Sequence, residues 1–407
     1  MHLRLMDRGA ARLPGWAVWG LAAGFYFTAL FHRNALGVAA LDAEARLGIT
    51  AGQLAVLSSL QLALYVAMQV PAGLAADRLG PRRTLSIGLL LMGAGELAFA
   101  TATTLPVAIA GRGLIGIGDA CIFLNVLRLA HSWFPAGRYA LLTSLAGLAG
   151  ALGQLLTTVP LGAGLDTLGW TPTFLATGAV TLAMAVACIL LVRDAPAGAP
   201  PRPEGPEPIR RALRIAAATP ATRHGFWVHM GLMGPFVTVT ALWGYPFLVR
   251  DQGMAAGPAR AYLLVTVAAF AGAAILLGVI GTRPALLRAH AVTLSLAWTA
   301  VLAWPGLVPA PLMLGALLLT GAGGAAGLLG FDIARAGNAA TRAGAASGLV
   351  NLGGFSAAVT ANLVIGQVAS ATGDLGAAMW PVALIPAIAT VALAVRRPSP
   401  APAACPA

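Results

Sequence analysis

Runs of about 20 apolar residues, the length a helix needs to cross the hydrocarbon of a bilayer, recur along almost the whole chain. Only 9% of its 407 residues are charged and 58% are hydrophobic, where a soluble domain carries about a quarter charged residues. Inside a membrane the backbone has to satisfy its own hydrogen bonds, which leaves helices or a closed barrel. Barrel strands read as short alternating segments; these runs are long and continuous. The expected fold is an all-α integral membrane protein of twelve transmembrane helices, near residues 16–38, 51–75, 84–103, 105–131, 139–161, 171–192, 223–249, 258–281, 289–306, 309–335, 343–369 and 375–395. The N-terminal MHLRLMDRGAARLPGW has a basic start, but no small-residue cleavage signal follows it. The first span is therefore expected to be retained.

A net charge of +12 invites a nucleic-acid reading until the charges are located. All 25 basic residues are arginine. With a cytoplasmic N-terminus, 20 of them fall in cytoplasmic loops, tails or adjoining helix ends; Arg46, Arg250 and Arg260 lie outside, and Arg33 and Arg112 lie within spans. That is the positive-inside asymmetry. The charge reports topology and contact with anionic lipid, so no nucleic-acid partner is expected. Cys121, Cys188 and Cys405 form no metal or disulfide pattern, and neither a metal nor a cofactor is expected.

Between Arg193 and Arg223 seven prolines interrupt the helical pattern. The expected division is 1–192 as an N-terminal six-helix bundle, 193–222 as a cytoplasmic Pro-rich linker, and 223–407 as a C-terminal six-helix bundle with a short cytoplasmic tail. Within the linker, IRRALRIAA reads either as a basic helix on the inner leaflet or as a solvated strip. Sliding the chain by 205 residues lays Gly73, Arg78 and Arg83 over Gly278, Arg283 and Arg288, and Gly116 and Gly118 over Gly321 and Gly323. One offset for two separate motifs points to two parallel pseudo-repeats around a central cavity.

The loop GLAADRLGPRRT between the second and third spans resembles the GxxxDRxGRR signature of the major facilitator superfamily, through Gly73, Asp77, Arg78, Gly80, Arg82 and Arg83. The resemblance implies the facilitator fold, alternating access, and a gating latch in which Asp77 lies against the N-terminal end of the eleventh helix. Alternatively, the arginines only enforce orientation. Thr282 replaces the aspartate in the second copy, which implies a weaker latch there. The passage FDIARAGNAATRAGAASGLVNLGGF, 331–355, is similar to the tenth-to-eleventh-helix region of bacterial facilitators; in it Asn351 either reaches the cavity or serves packing.

Within the fourth span, GRGLIGIGDACIFLN carries Arg112 and Asp119 seven residues apart, on one helical stripe with Gly116. Intramembrane charges mark pathways or binding sites. An arginine lying along the Gly116 groove would approach the aspartate. An anion that engaged Arg112 would then ease protonation of Asp119, giving symport; a cation competing at Asp119 would give antiport. RGLIGIGDA followed by SWFP resembles the fourth helix of organic anion and sugar-acid symporters, in which an acid after GIG carries the coupling proton. By the same resemblance Arg33, in FHRNALGVAA, and Tyr65, in LYVAMQVPAG, sit where substrate carboxylate is contacted, and His32 replaces an acidic partner.

Arg33 and Arg112 are the expected anion clamp. His32 is either a proton relay or an interfacial histidine. Glu96 either joins the proton path or faces a neighbouring helix or lipid. Asn125 adds a substrate contact or an interhelical bond. In the seventh span Pro235, Gly244 and Pro246 are expected to bend the helix, making Trp243 and Tyr245 gating residues or an aromatic belt.

The leading reading is proton-coupled symport of a small organic anion by a multi-pass protein of a bacterial cell or inner membrane, working as a monomer with cytoplasmic termini among membrane lipids. Drug or metabolite efflux by proton antiport is the alternative, weakened because GLAGALGQLLTTVPLG lacks a GPxxGG string. A transporter-like receptor is a third. Enzyme motifs such as HExxH, GxSxG or a P-loop do not occur.

Overall fold

The computed structural model describes residues 13–135, 138–196, 208–280, 283–339 and 342–395, and no strand occurs among them. The long helices are α1 (Gly15–Val38), α2 (Ala51–Leu79), α3 (Pro81–Thr101), α4 (Leu105–Trp133), α5 (Leu141–Leu168) and α6 (Trp170–Leu191), then α7 (Pro220–Asp251), α8 (Ala256–Ile280), α9 (Pro284–Leu302), α10 (Ala310–Ala336), α11 (Ala343–Thr372) and α12 (Leu375–Val395). Eleven of them are long and apolar enough to cross a membrane. The remaining one, α1, has 24 residues, and its polarity comes from the consecutive His32, Arg33 and Asn34. Among the described residues, twelve long helices lie where the twelve spans were expected, with ends displaced by a few residues.

The helix ends follow local chemistry. The Thr50 side chain accepts from Gln53 N while Gln53 Oε1 accepts from Thr50 N, a reciprocal cap that starts α2. Prolines occupy the first turn of α3, α4, α7, α9 and α10, where a missing N–H costs nothing. Between α2 and α3 the whole connection is Gly80, at φ +86°, a conformation that favours glycine. The N–H of Arg82 then donates to Asp194 Oδ1 at 2.6 Å, tying the start of α3 to the segment after α6.

Packing sorts α1–α6 and α7–α12 into two bundles. In the first, α3 packs on α4 and α6, α1 on α5, and α2 on α4; in the second, α7 packs on α10, α11 and α12, and α8 on α10. The repeat offset reappears as a physical contact. A Cβ on Gly116 of α4 would lie 3.0 Å from Gln61 Cα of α2. Moved on by 205, Gly321 of α10 abuts Thr266 of α8, where a Cβ would lie 3.0 Å from the neighbouring Phe270 N. In both halves an absent side chain lets two backbones touch.

The bundles meet through α2–α11, α5–α8 and α1–α7, and their polar contacts gather at the end opposite Gly15 and Val395. There Gly52 N donates to Ser370 Oγ at 2.7 Å, Arg250 pairs with Glu44, and Arg260 pairs with Asp166. Arg46 Nε donates to Ala102 O at the same end. At Gly37 the backbones of α1 and α7 are in contact, and a Cβ there would sit 2.7 Å from Ala241 C.

Four of the described spans are irregular, among them α12, which is interrupted at Met379–Trp380. The helix of α4 breaks at Cys121–Ile122, directly after Asp119, with Cys121 N bonding Gly118 O and Ile122 N bonding Asp119 O in three-residue turns. In α5, Pro160 lies in a π turn, Thr157–Leu161. The bend expected in α7 takes the form of two π turns, Val239–Trp243 and Phe247–Asp251, on either side of Gly244–Pro246. The linker segment IRRALRIAA does form a helix, Ile209–Ala218; residues 197–207 lie outside the described residues.

Candidate functional site

Two helices meet at the most strongly bonded buried charges among the described residues. Arg33 of α1 donates from Nε to Asp119 Oδ2 at 2.8 Å and from Nη2 to Asp119 Oδ1 at 2.9 Å, with 7% and 1% of the side chains exposed. This two-pronged geometry is the strongest that arginine and carboxylate form.

The pairing corrects the expectation that Arg112 would reach Asp119. Residues seven apart on one helix differ by about 10 Å in height, whereas Arg33 arrives from a neighbouring helix level with the carboxylate. The Gly116 groove proposed for the arginine is filled by the Gln61 backbone of α2. Arg112 instead points toward α1, where Nη1 donates to His32 O at 3.4 Å and the guanidinium lies 5.2 Å from the Phe99 ring centroid. It is 1% exposed, and its Nε has no hydrogen-bond partner.

Arg33 does not snorkel to a surface. Its guanidinium lies 4.1 Å above the ring of Tyr65 and 5.3 Å from Phe355, and these rings are 5.1 Å apart. Tyr65 belongs to α2 and Phe355 to α11. The arginine therefore stands where the two bundles touch, with cation–π contact to each.

Beside this pair lies a second polar cluster. His32 and Glu96 are both fully buried; Nδ1 of the histidine is 3.1 Å from Glu96 Oε1, and Nε2 is 2.6 Å from Thr181 Oγ1. Thr177 also donates to Glu96 Oε1, at 3.2 Å. Sequence spacing left Glu96 either in the proton path or facing a neighbouring helix or lipid, and His32 either a proton relay or an interfacial histidine. Folding places both inside the first bundle, among α1, α3 and α6.

The other candidate residues are spread more widely. Asn125 is buried, but its Nδ2 donates to Cys121 O one turn back, at 2.7 Å. Trp243 is buried and donates from Nε1 to Asn362 O at 3.3 Å, and the Tyr245 ring lies 5.7 Å from the Arg260 guanidinium, in the end seam between the bundles. Both sit among the packed ends and away from the Arg33 pair. Asn351 is half-buried, in the first turns of α11. Of the gating motif, Gly73 packs near Leu124, Gly80 makes the turn, Arg82 also donates to Ile189 O of α6, and Arg78 and Arg83 are exposed. The Asp77 side chain and Thr282 lie outside the described residues.

Several polar residues at the bundle interface were missed by the sequence reading. Gln154 of α5 donates to Asn34 Oδ1 of α1 at 3.1 Å and to Thr240 Oγ1 of α7 at 3.2 Å. Asn362 of α11 donates to Ser58 of α2 at 3.4 Å, and Gln61 is 1% exposed with neither amide atom bonded. A lone amide in an apolar span was the available signal. Among the described residues no group of histidine, cysteine and acidic side chains is placed to hold a metal ion.

The arrangement has a plain chemical capacity. A guanidinium already making two bonds to a carboxylate can exchange that partner for another carboxylate or for a sulfonate of similar geometry. The displaced aspartate is then left as an uncompensated buried group.

A sequence model described as Major Facilitator Superfamily matches residues 22–362. A probable sulfoacetate transporter of Cupriavidus necator is 27% identical over 183 residues, 44% of this chain and 42% of that protein. A putative tartrate transporter of Agrobacterium vitis is 27% identical over 179 residues, 42% of this chain and 41% of that protein. The chain thus aligns with less than half the length of each of these relatives. In three dimensions it resembles the crystal structure of a D-xylose-proton symporter, with a TM-score of 0.71 at 15% identity, covering 94% of this chain and 98% of the other.

Proposed function

The chain belongs to the Major Facilitator Superfamily, and on that premise we propose that it is a secondary active transporter carrying a small organic anion together with protons by alternating access. The observation that carries the reading is the two-pronged Arg33–Asp119 bond, buried at the contact of the two bundles. An incoming carboxylate or sulfonate competes with Asp119 for the guanidinium. Released aspartate, buried at 1% exposure, neutralises by taking up a proton. Anion and proton then bind together, and each is released when the other leaves. Arg112 supplies a second cation beside the first, and Tyr65 and Phe355 hold Arg33 in place from both bundles. The names of the sulfoacetate and tartrate relatives support an anionic substrate.

The termini lie in the cytoplasm in this reading, supported by the arginine-rich loops, and the packed seam of Arg260–Asp166 and Arg250–Glu44 closes the outer side. The loop from Gly73 to Arg83, with Asp77, then acts as the cytoplasmic gate that forms when the outer seam opens.

Flux in proteoliposomes with an imposed pH gradient and an internal pH dye tests the proposal on a panel of acids including tartrate and sulfoacetate. The wild type should accumulate an anion with protons, and Asp119→Asn should exchange the same anion without following the gradient. Efflux of cationic dyes against proton entry, with no anion moved, would overturn the symport reading in favour of antiport.

A further inference from the structure

Resting on the anion-transport reading, we propose that His32 and Glu96 form a second proton site, which determines whether Arg112 has an uncompensated positive charge to offer the anion. Thr181 Oγ1 has one hydrogen and two neighbours that can receive it, Thr177 O at 2.9 Å and His32 Nε2 at 2.6 Å. Each choice completes a different network on the same heavy atoms.

In one network the Thr181 hydroxyl donates to His32 Nε2. The imidazole is then neutral, its Nδ1 3.1 Å from Glu96 Oε1 but not aligned for a hydrogen bond, and Glu96 is a carboxylate. In the other, the hydroxyl turns to Thr177 O and accepts from His32 Nε2–H, and one added proton makes the imidazole a cation in charge contact with the Glu96 carboxylate. The two networks differ by a single proton and the rotation of one hydroxyl. No side chain has to leave its place. A fixed histidine–carboxylate contact that accepts a proton so simply is suited to a switch.

The charges around the pair give the proton its consequence. From α4 it faces Arg112 and Asp119, and from α1 it adjoins Arg33, beyond which lies Tyr65 of α2; α6 contributes the hydroxyls of Thr177 and Thr181. Asp119 is committed to Arg33 by two bonds. The carboxylate left to balance Arg112 is Glu96, linked to it through His32, whose carbonyl accepts from Arg112 Nη1 and whose ring adjoins Glu96 Oε1. With the pair deprotonated, Arg33, Arg112, Asp119 and Glu96 sum to zero. With the extra proton they sum to one positive charge in a site closed to water, and a bound anion restores neutrality. Arg112 is prepared for this role, since its Nε lacks a partner and Nη1 holds only a long bond to the His32 carbonyl. Glu96 is thus a positioning residue that acts through Arg112.

Infrared difference spectra of the reconstituted wild type, taken from about pH 5 to about pH 9 without substrate, read the carboxyl groups directly. We expect a pH-dependent change in the carboxylate stretches and imidazole ring modes of the pair that Glu96→Gln alters and Asp119→Asn retains, with its midpoint moved in Thr181→Val, which lacks the rotating hydroxyl. Identical bands in wild type and Glu96→Gln would overturn the second site. Because no substrate is present, this result is separate from any failure of anion flux, which would count against the transport reading alone. With tartrate as the probe anion, the wild-type affinity should change by about a hundredfold per pH unit where both sites titrate, and that of Glu96→Gln by about tenfold. Equal steepness in the two proteins would sever the link to Arg112.

Discussion

Replacing Arg33 with alanine should abolish anion uptake and lower the stability of the protein by about 3–5 kcal/mol, the cost of leaving one member of a buried ion pair without its partner. Asp119 would lose both of its bonds from the guanidinium, at 2.8 and 2.9 Å, in a place where 1% of the side chain meets solvent. Two further variants separate folding from function. Arg33→Gln combined with Asp119→Asn removes both charges and should regain most of the lost stability while remaining inactive. Arg33→Lys keeps the charge but loses the planar fork, so it should fold better than the alanine variant and still bind the anion poorly. Thermal unfolding in detergent, read beside proteoliposome uptake, checks all three. Wild-type uptake by the double variant would remove Arg33 from the binding site.

Gly37→Leu should hold the two bundles apart at the end that is packed in this structure. A Cβ at this position falls 2.7 Å from Ala241 C, 2.8 Å from Ala241 O and 2.9 Å from Thr240 O. All are backbone atoms of α7, and no rotamer change relieves them. Overpacking of this kind costs about 1–3 kcal/mol, and each 1.4 kcal/mol changes a conformational ratio about tenfold. The strain disappears when α1 and α7 separate, so it shifts the equilibrium between conformations and spares the fold. Uptake should fall about tenfold or more. In a background without Cys121, Cys188 and Cys405, cross-linking between Asp166→Cys and Arg260→Cys should fall with it. Undiminished cross-linking in the Gly37→Leu protein would show that α1 and α7 do not form the closing contact.

The expectation for α4 and the observed pairing differ instructively. Arg112, Gly116 and Asp119 do share a stripe, and the stripe does face the interior. Reading one helix alone, however, gives no means of knowing what fills the space beside Gly116. It is the backbone of α2, so the arginine turns elsewhere and Asp119 is met from α1. Glu96 and His32 were ambiguous for the same reason: 64 residues separate them, and their contact exists only because α1, α3 and α6 converge. Asn34 and Thr240 join through Gln154 across three helices, and no spacing rule connects them.

Other features were legible because they depend on local chemistry. The twelve spans follow from the requirement that a backbone in hydrocarbon bond to itself. The irregular backbone of α7 falls where Pro235, Gly244 and Pro246 pointed to one. The repeat offset of 205, read from scattered glycines and arginines, recurs as the paired contacts of Gly116 with Gln61 and of Gly321 with Thr266. Helix number, helix ends, the repeat and the presence of buried charge were thus determined by the sequence itself, since each arises from the transfer energy or geometry of neighbouring residues. Which charge meets which was decided only by the tertiary structure, because a pair between helices depends on their rotation and height, and these emerge from the packing of all twelve together.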